Sequence, residues 1–252
     1  MFRSDVMNKL FRLAPKILAG TLLTLVILDA WRNGSFKGWG RGTQKREGRI
    51  YLRFFIGLLL LMGLFLPLDS ALLILIQSWG ERLPGLVNFG SFIGGNVNYW
   101  ILVTGAYFFF RLLRWKRGTQ ICLGILLASL ASALVCQGLK IIFLRARPFT
   151  GLSPFSFFHW GGILKDDRAF QSFPSGDTVL VSGGVGYFFH SSPNRRLRWL
   201  GFLLPLSTAF ARVSLDRHWV SDTLASLMIG LMVSRWIWNR TKRNISNCTG
   251  FV

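Results

Sequence analysis

Long runs of apolar residues recur along this chain, and they constrain its fold more than any other feature. The clearest lie at residues 54–66, 121–135 and 199–210. Such runs are typical of helices that cross a bilayer, because backbone polar groups in hydrocarbon must be bonded within the protein. The composition agrees, since 51% of the residues are hydrophobic and the mean hydropathy is +0.42. The sequence therefore argues against a soluble protein and predicts a polytopic, all-α membrane bundle.

The basic residues indicate how the bundle is oriented. The formal net charge is +20, which by itself is compatible with a nucleic-acid partner. The Lys and Arg residues, however, lie in short clusters between apolar runs, at residues 32–53, 111–117, 195–198 and 235–243. Clusters in these places are typical of cytoplasmic loops, as the positive-inside rule describes. We therefore expect the partner to be a lipid bilayer and expect no nucleic acid.

Placing the first of these clusters, residues 32–53, in the cytoplasm gives a topology of six core transmembrane helices. They are predicted at about residues 54–68, 98–113, 119–139, 174–190, 199–213 and 219–237. Residues 69–97 are expected to form an amphipathic segment on the outer side, and residues 149–172 an outer loop. All four basic clusters then fall on one side of the membrane, although no single span was placed to obtain that result.

The same topology divides the chain into three parts. Residues 1–53 are predicted to hold an N-terminal hydrophobic or interfacial segment and a basic cytoplasmic stretch. Residues 54–237 form the membrane domain, and residues 238–252 form a basic cytoplasmic tail. The apolar segment at 17–31 is short for a span and ends beside Asp29. An interfacial helix, an additional span and an uncleaved signal-like anchor all fit it, and we favour a retained helix.

Three polar segments lie at the outer ends of the predicted spans, at residues 140–148, 174–177 and 212–222. Ionisable residues at membrane depth are energetically costly, and they usually mark functional sites. In the first segment Lys140 and Arg147 are seven residues apart, which places them on one face of a helix that Pro148 is expected to end. Two cations on one face suit an anion, although snorkelling of both side chains to the membrane edge fits equally well.

The second and third segments add a helix start and a reactive side chain. Ser175 and Gly176 begin a predicted helix, whose free N–H groups can hold a phosphate, although an ordinary helix cap explains them too. His218 and Asp222 are four residues apart, so a carboxylate can hold one ring nitrogen and leave the other free. A purely structural His–Asp pair is the alternative. We expect no metal site, since no second ligand lies at metal-binding spacing.

Together the three segments resemble the type 2 phosphatidic acid phosphatase superfamily, whose pattern is K-x6-RP, then PSGH, then SR-x5-H-x3-D. The match extends over about residues 54–237, with Ala211 in place of the usual Ser. The resemblance implies a bundle of six core spans and phosphoryl transfer without metal or other cofactor. It also implies that His218 attacks phosphorus to form a phosphohistidine and that Asp222 orients it. The groups that hold the phosphoryl oxygens would be Lys140, Arg147, Ser175, Gly176 and Arg212.

The chain departs from that pattern at Asp177, where the family has a His that is presumed to protonate the leaving oxygen. Neighbouring cations should keep an Asp ionised and make it a poor acid, whereas burial favours its protonated form. Three explanations stay open: Asp177 is a working acid, the leaving group needs little protonation, or the chain is weakened or inactive. His159, Asp166 and Asp167 in the outer loop are possible substitutes, although solvated loop residues explain them more simply.

The predicted function is hydrolysis of a lipid phosphate or diphosphate at the periplasmic face of the inner (plasma) membrane. The candidate substrates are phosphatidylglycerophosphate, undecaprenyl diphosphate, phosphatidic acid and lipid A phosphates. No obligate protein partner is expected. Two alternatives remain: a lipid phosphotransferase that uses the same histidine, and a catalytically weakened homologue that only binds lipid phosphates.

Overall fold

The computed structural model describes residues 21–30, 32, 44–159 and 168–246, and within these ranges the chain is all-α, as the sequence predicts. We number its helices in chain order. They are α1 (Thr21–Ala30), α2 (Gln44–Phe65), α3 (Asp69–Arg82), α4 (Pro84–Gly94), α5 (Asn96–Leu112), α6 (Lys116–Phe143), α7 (Gly176–Ser191), α8 (Arg195–Gly201), α9 (Leu203–Ser214) and α10 (Val220–Ser246). Asp166 and Asp167 lie outside the described residues.

Within the described ranges, three segments are long and apolar enough to cross a membrane: Gly48–Arg82, Lys116–Thr150 and Val220–Lys242. They overlap the first, third and sixth predicted spans. The other three predicted spans coincide with shorter helices, namely α5 with 17 residues, α7 with 16 and α9 with 12. The structure therefore places a helix at every predicted span and supports a membrane protein.

Several boundaries differ from the prediction. Helix α2 begins at Gln44 rather than near residue 54, because the Lys, Arg and Glu residues before the apolar run are themselves good helix formers. The outer segment 69–97 is two helices, α3 and α4, instead of one amphipathic stretch. The fifth span begins at Leu203 instead of residue 199, since the chain turns at Phe202 between α8 and α9.

Helices α6, α7 and α10 form the centre of the bundle and pack at very short distances. Small residues make this possible, as is common between membrane helices. Gly183 on α7 faces Ser132 of α6, and Gly230 on α10 faces Ser182 of α7, so that a methyl group at either glycine would overlap the facing side chain. The three helices whose ends carry most of the polar segments are therefore in direct backbone contact.

A second contact surface joins the outer segment to α9. Gly90 and Gly94 of α4 lie against Ser207 and Thr208, and Gly80 of α3 lies against Ser214. Helix α9 is thus held between α7 on one side and the α3–α4 pair on the other. This packing fixes the end of α9, which carries one of the predicted phosphate ligands.

The helix ends divide into two groups. The end of α6, the start of α7, the end of α9 and the start of α10 meet at one end of the bundle, where the three polar segments converge. The basic clusters at 111–117, 195–198 and 235–243 lie at the other ends of these helices. There Asp29 of α1 accepts a 2.6 Å hydrogen bond from Tyr107 Oη and pairs with Arg111 at 3.2 Å. The described part of the 17–31 segment is therefore a helix that contacts α5.

Candidate active site

A cavity of about 350 Å³ opens where the three polar segments meet. It contains six of the eight side chains or backbone positions that the sequence singles out as site residues. Its lining consists of Asn96, Ala133, Cys136, Gln137, Lys140, Arg147, Gly176, Asp177, Leu180, Arg212, Leu215, Arg217 and His218. The other two predicted residues, Ser175 and Asp222, are fully buried behind this surface.

His218 lies in the loop between α9 and α10 and is only 3% exposed. Its Nδ1 is 2.7 Å from the carbonyl oxygen of Ser172, so that in the neutral ring Nδ1–H donates to this carbonyl. The lone pair of the neutral ring then resides on Nε2. A buried imidazole fixed in this tautomer, on the wall of the cavity, is suited to act as a nucleophile.

Asp222 is farther from the ring than the i,i+4 spacing suggests. Its Oδ2 is 3.8 Å from His218 Nδ1, beyond hydrogen-bond distance, whereas it accepts bonds from Ser172 Oγ and from the Trp219 N–H at 3.0 Å. The connection between the carboxylate and the imidazole therefore runs through Ser172, which contacts Asp222 with its hydroxyl and His218 with its carbonyl. That Asp222 orients the ring of His218 stays a prediction. If it does so, it acts through Ser172, which bonds to both residues.

The environment of His218 keeps its ring neutral. Burial lowers the pKa of His218 from 6.5 to about 4, and the positive charges of Arg147 and Lys140 add to this effect, whereas Asp222 opposes it. The nucleophilic form is consequently the one present at neutral pH. Because the unfolded chain takes up this proton at a higher pH than the folded one, His218 also makes the free energy of unfolding decrease as pH falls from 6.5 to 4.

This pKa can be measured directly, because the chain has three histidines. We expect that replacing His159 and His190 with Gln leaves a single imidazole resonance, whose nitrogen chemical shifts titrate near pH 4. A midpoint near 6.5 would contradict the burial described here. The same result predicts that kcat/KM loses no activity through protonation of His218 between pH 7 and 5.

The first polar segment differs from its predicted shape. Helix α6 ends at Phe143, and Leu144 adopts a left-handed conformation with φ 39°, so that Lys140 and Arg147 do not lie on one helical face. Arg147 is extended, as expected for a residue before Pro148. The chain turns at this point because Arg145 points inward to buried carboxylates. Both Lys140 and Arg147 nevertheless reach the cavity.

Arg145 is the centre of a buried ionic cluster that the sequence does not reveal. It is 0% exposed, and its guanidinium bonds to Asp222 through Nη1 and lies 2.7 Å from Asp69 Oδ2 through Nη2. Ser221 joins the two sides, since its N–H donates to Asp69 at 2.8 Å and its hydroxyl accepts from Arg145 at 2.8 Å. The cluster ties α3 and the segment after α6 to the start of α10, directly behind His218.

The start of α7 presents backbone donors to the cavity. Ser175 occupies the N-cap position with an extended conformation, but its hydroxyl pairs with Thr178 Oγ1 at 3.0 Å and makes no cap bond. The position that a Cβ of Gly176 would occupy is 3.6 Å from Lys140 Nζ, so a side chain here would fill the space between the helix end and the ammonium group. Free N–H groups beside a buried cation are favourable for an anion.

Two arginines complete the positive lining. Arg147 donates from Nη2 to the carbonyl of Gln171 at 3.5 Å, and among the described residues its buried Nε has no hydrogen-bond partner. Arg212 Nε is 2.8 Å from Asp177 Oδ2. A guanidinium with an unused donor beside a cavity is well suited to bind a phosphoryl oxygen.

Asp177 therefore stands in an ion pair, with 31% of its side chain exposed. Of the substitutes considered for it, the structure describes only His159. His159 Nε2 is bonded to Ser156 Oγ at 2.6 Å, its ring lies against Phe170 at 4.5 Å, and it does not line the cavity. Within the described ranges, no group of three His, Cys, Asp or Glu residues is arranged to hold a metal ion.

Sequence comparisons agree with this geometry. A family model described as "PAP2 superfamily" matches residues 117–246, which include all three polar segments. An undecaprenyl-diphosphatase from Sulfolobus acidocaldarius is 27% identical over 153 residues, which cover 60% of this chain and 68% of the relative. No solved structure matches the chain. Helices α1 to α5, which contribute Asp69 and Asn96, lie before the region matched by the family model.

Proposed function

This chain belongs to the PAP2 superfamily, and from that membership we propose that it is an integral membrane lipid phosphatase that acts through a phosphohistidine on His218. The observation that carries the proposal is the fixed tautomer of His218 at a cavity lined with cations. Phosphoryl transfer requires positioning of the nucleophile and neutralisation of spread negative charge, and this arrangement supplies both.

In the proposed reaction His218 Nε2 attacks phosphorus, and the bond between phosphorus and the leaving oxygen breaks. Lys140, Arg147, Arg212 and the N–H groups at the start of α7 hold the phosphoryl oxygens. The leaving oxygen departs with the bonding electron pair. Water then attacks the phosphohistidine, which releases inorganic phosphate and restores the neutral ring of His218. Ser172, supported by Asp222, keeps Nδ1–H in place during both steps.

The proposed location is the inner (plasma) membrane, with the cavity facing the periplasm or exterior. The support comes from the basic clusters, which lie at the ends of the helices opposite the cavity and belong in the cytoplasm by the positive-inside rule. The apolar surface of the bundle favours a lipid over a soluble phosphate ester. Phosphatidylglycerophosphate, undecaprenyl diphosphate, phosphatidic acid and lipid A phosphates are the candidates, and the archaeal relative's name points to the second.

A panel of lipid phosphates tests the proposal. We expect purified protein in detergent to release inorganic phosphate from at least one of them, with inhibition by vanadate and without loss of activity in EDTA. Release without an added acceptor lipid distinguishes a hydrolase from a phosphotransferase. Binding of these lipids without phosphate release would show instead a binding protein that has kept the cationic cavity.

The residue at position 177 gives a further prediction. We expect Asp177→His to keep or raise the activity, because the imidazole supplies a proton donor and frees Arg212 from its ion pair. Asp177→Asn, which frees Arg212 without adding a strong proton donor, is the matched control. Phosphate release from the lipid panel measures both variants. A complete loss of turnover in Asp177→His would show that Asp177 does more than replace the family's usual acid.

A further inference from the structure

Arg217 is a fourth cation of the cavity that the phosphatase mechanism above does not use. It directly precedes His218, its side chain is exposed, and it lines the same cavity as Arg147 and Arg212. Its guanidinium lies over the ring of Phe149 at 5.9 Å. None of the salt bridges among the described residues involves Arg217. An exposed cation that lines the cavity and has no carboxylate partner among the described salt bridges can take up a further negative charge of the substrate.

Asp177, the one carboxylate among the described residues of the lining, bears on the same question. Asp177 Oδ2 is 2.8 Å from Arg212 Nε, so this carboxylate is held against a cation of the cavity. Cleavage of a lipid monophosphate expels the lipid as an alkoxide, which needs a proton from the site. A lipid diphosphate leaves as a lipid monophosphate, whose negative charge is already stable in water and is further stabilised by a guanidinium.

From these observations we propose that the site is specialised for lipid diphosphates and that Arg217 binds the phosphate group that leaves. The inference rests on the proposed phosphatase function. His218 Nε2 attacks the terminal phosphorus, the bond from that phosphorus to the bridging oxygen breaks, and the bridging oxygen keeps the electron pair. The lipid monophosphate departs beside Arg217 without a proton from Asp177, and water then hydrolyses the phosphohistidine.

The position of Arg217 is consistent with binding the leaving phosphate while His218 attacks the terminal phosphorus. The loop from Leu215 to Trp219 places His218 inside, only 3% exposed, and Arg217 outside at the cavity rim. Asp216, with φ 59°, turns the chain directly before these two residues and accepts a 3.2 Å bond from Gln77 of α3, which anchors the loop. One short loop thus presents the nucleophile to the terminal phosphate and a cation to the next phosphate along the substrate.

The test compares two lipids that share one prenyl chain and differ in carrying one or two phosphates. We expect the wild-type protein to prefer the diphosphate by at least about tenfold in kcat/KM. We expect Arg217→Gln to lower kcat/KM for the diphosphate by about 10- to 100-fold, the size expected for one charge-assisted bond, and for the monophosphate by about threefold or less. Arg217→Lys should restore part of the difference. Arg168→Gln, at an exposed arginine outside the cavity lining, is the matched control and should affect neither lipid.

Affinity measurements with non-hydrolysable analogues separate this inference from the proposed phosphatase function on which it rests. The prenyl methylenediphosphonate and prenyl phosphonate, which cannot be hydrolysed at the bridging position, are used as probes with the same variants. Hydrolysis of both lipids at equal rates, or an equal loss for both in Arg217→Gln, would overturn the inference and leave the phosphatase function intact. Absence of any hydrolysis would overturn the proposed function. In that event, equal affinities of Arg217→Gln and the wild-type protein for the diphosphonate would also overturn the proposal that Arg217 binds the second phosphate group.

Discussion

Replacing His218 with Gln should abolish phosphate release, with a loss of about a thousandfold or more, because it removes the one imidazole among the described residues of the cavity lining. Gln is chosen because its amide can still donate to the Ser172 carbonyl, which holds Nδ1 in the wild-type protein at 2.7 Å. The variant should therefore fold and keep its affinity for phosphate lipids. Assays of released phosphate and of lipid binding in the same detergent measure the two properties separately.

The matched control is His190→Gln. His190 lies at the other end of α7, stacked on Trp238 at a centroid distance of 6.2 Å, and it should tolerate the change within about twofold. Wild-type protein quenched during turnover should carry an acid-labile, alkali-stable phosphoryl label that is absent from His218→Gln. Phosphate release from His218→Gln at the wild-type rate would contradict the proposed mechanism.

The second large effect is expected on stability. Arg145→Met should destabilise the folded protein by about 3–5 kcal/mol, because it leaves two buried carboxylates, Asp69 and Asp222, without their shared cation. Loss of one partner from a buried ion pair is far more harmful than loss of the whole group. Thermal unfolding in detergent, together with the yield of monodisperse protein, measures the effect.

Two comparisons show whether the effect comes from the ionic cluster. Arg147→Met removes a cation only two residues away that has no carboxylate partner among the described salt bridges, and it should lower activity with little change in unfolding temperature. The triple variant Asp69→Asn, Arg145→Met and Asp222→Asn removes all three charges and should regain part of the lost stability. Equal unfolding temperatures for Arg145→Met and the wild-type protein would show that the cluster does not hold the fold together.

The sequence predicted the all-α class and a helix at each span, because these features depend on local hydrophobicity and on the positions of basic residues. It also predicted part of the cavity lining, since Lys140, Arg147, Asp177, Arg212 and His218 all reach the cavity, whereas Arg217 was not singled out. Polar side chains at the ends of apolar helices are a local signal, and helices that alternate in direction bring such ends together. The metal independence, the orientation and the catalytic roles stay predictions.

The features that sequence reasoning missed depend on contacts between distant residues. Asp69 and Arg145 are 76 residues apart, and nothing in the pattern around Asp69 distinguishes it from a helix-start residue in an outer loop. The bond from His218 to Ser172 is made to a backbone carbonyl, which every residue has, so the residue type does not reveal it. The end of α6 at Phe143 was also missed, because it follows from the inward position of Arg145 rather than from a breaker residue.

The tight packing of α6, α7 and α10 has a consequence for how a bulky substrate enters. These helices resist separation and sliding, because small residues such as Gly183 and Gly230 let their backbones pack at very short distances. The start of α7 is therefore held in a fixed position beside His218. We therefore expect that any widening of the cavity to admit a polyprenyl or acyl chain occurs at the junction between α4 and α5. Helix α4 ends there at Gly94 and α5 begins at Asn96, and Asn96 itself lines the cavity.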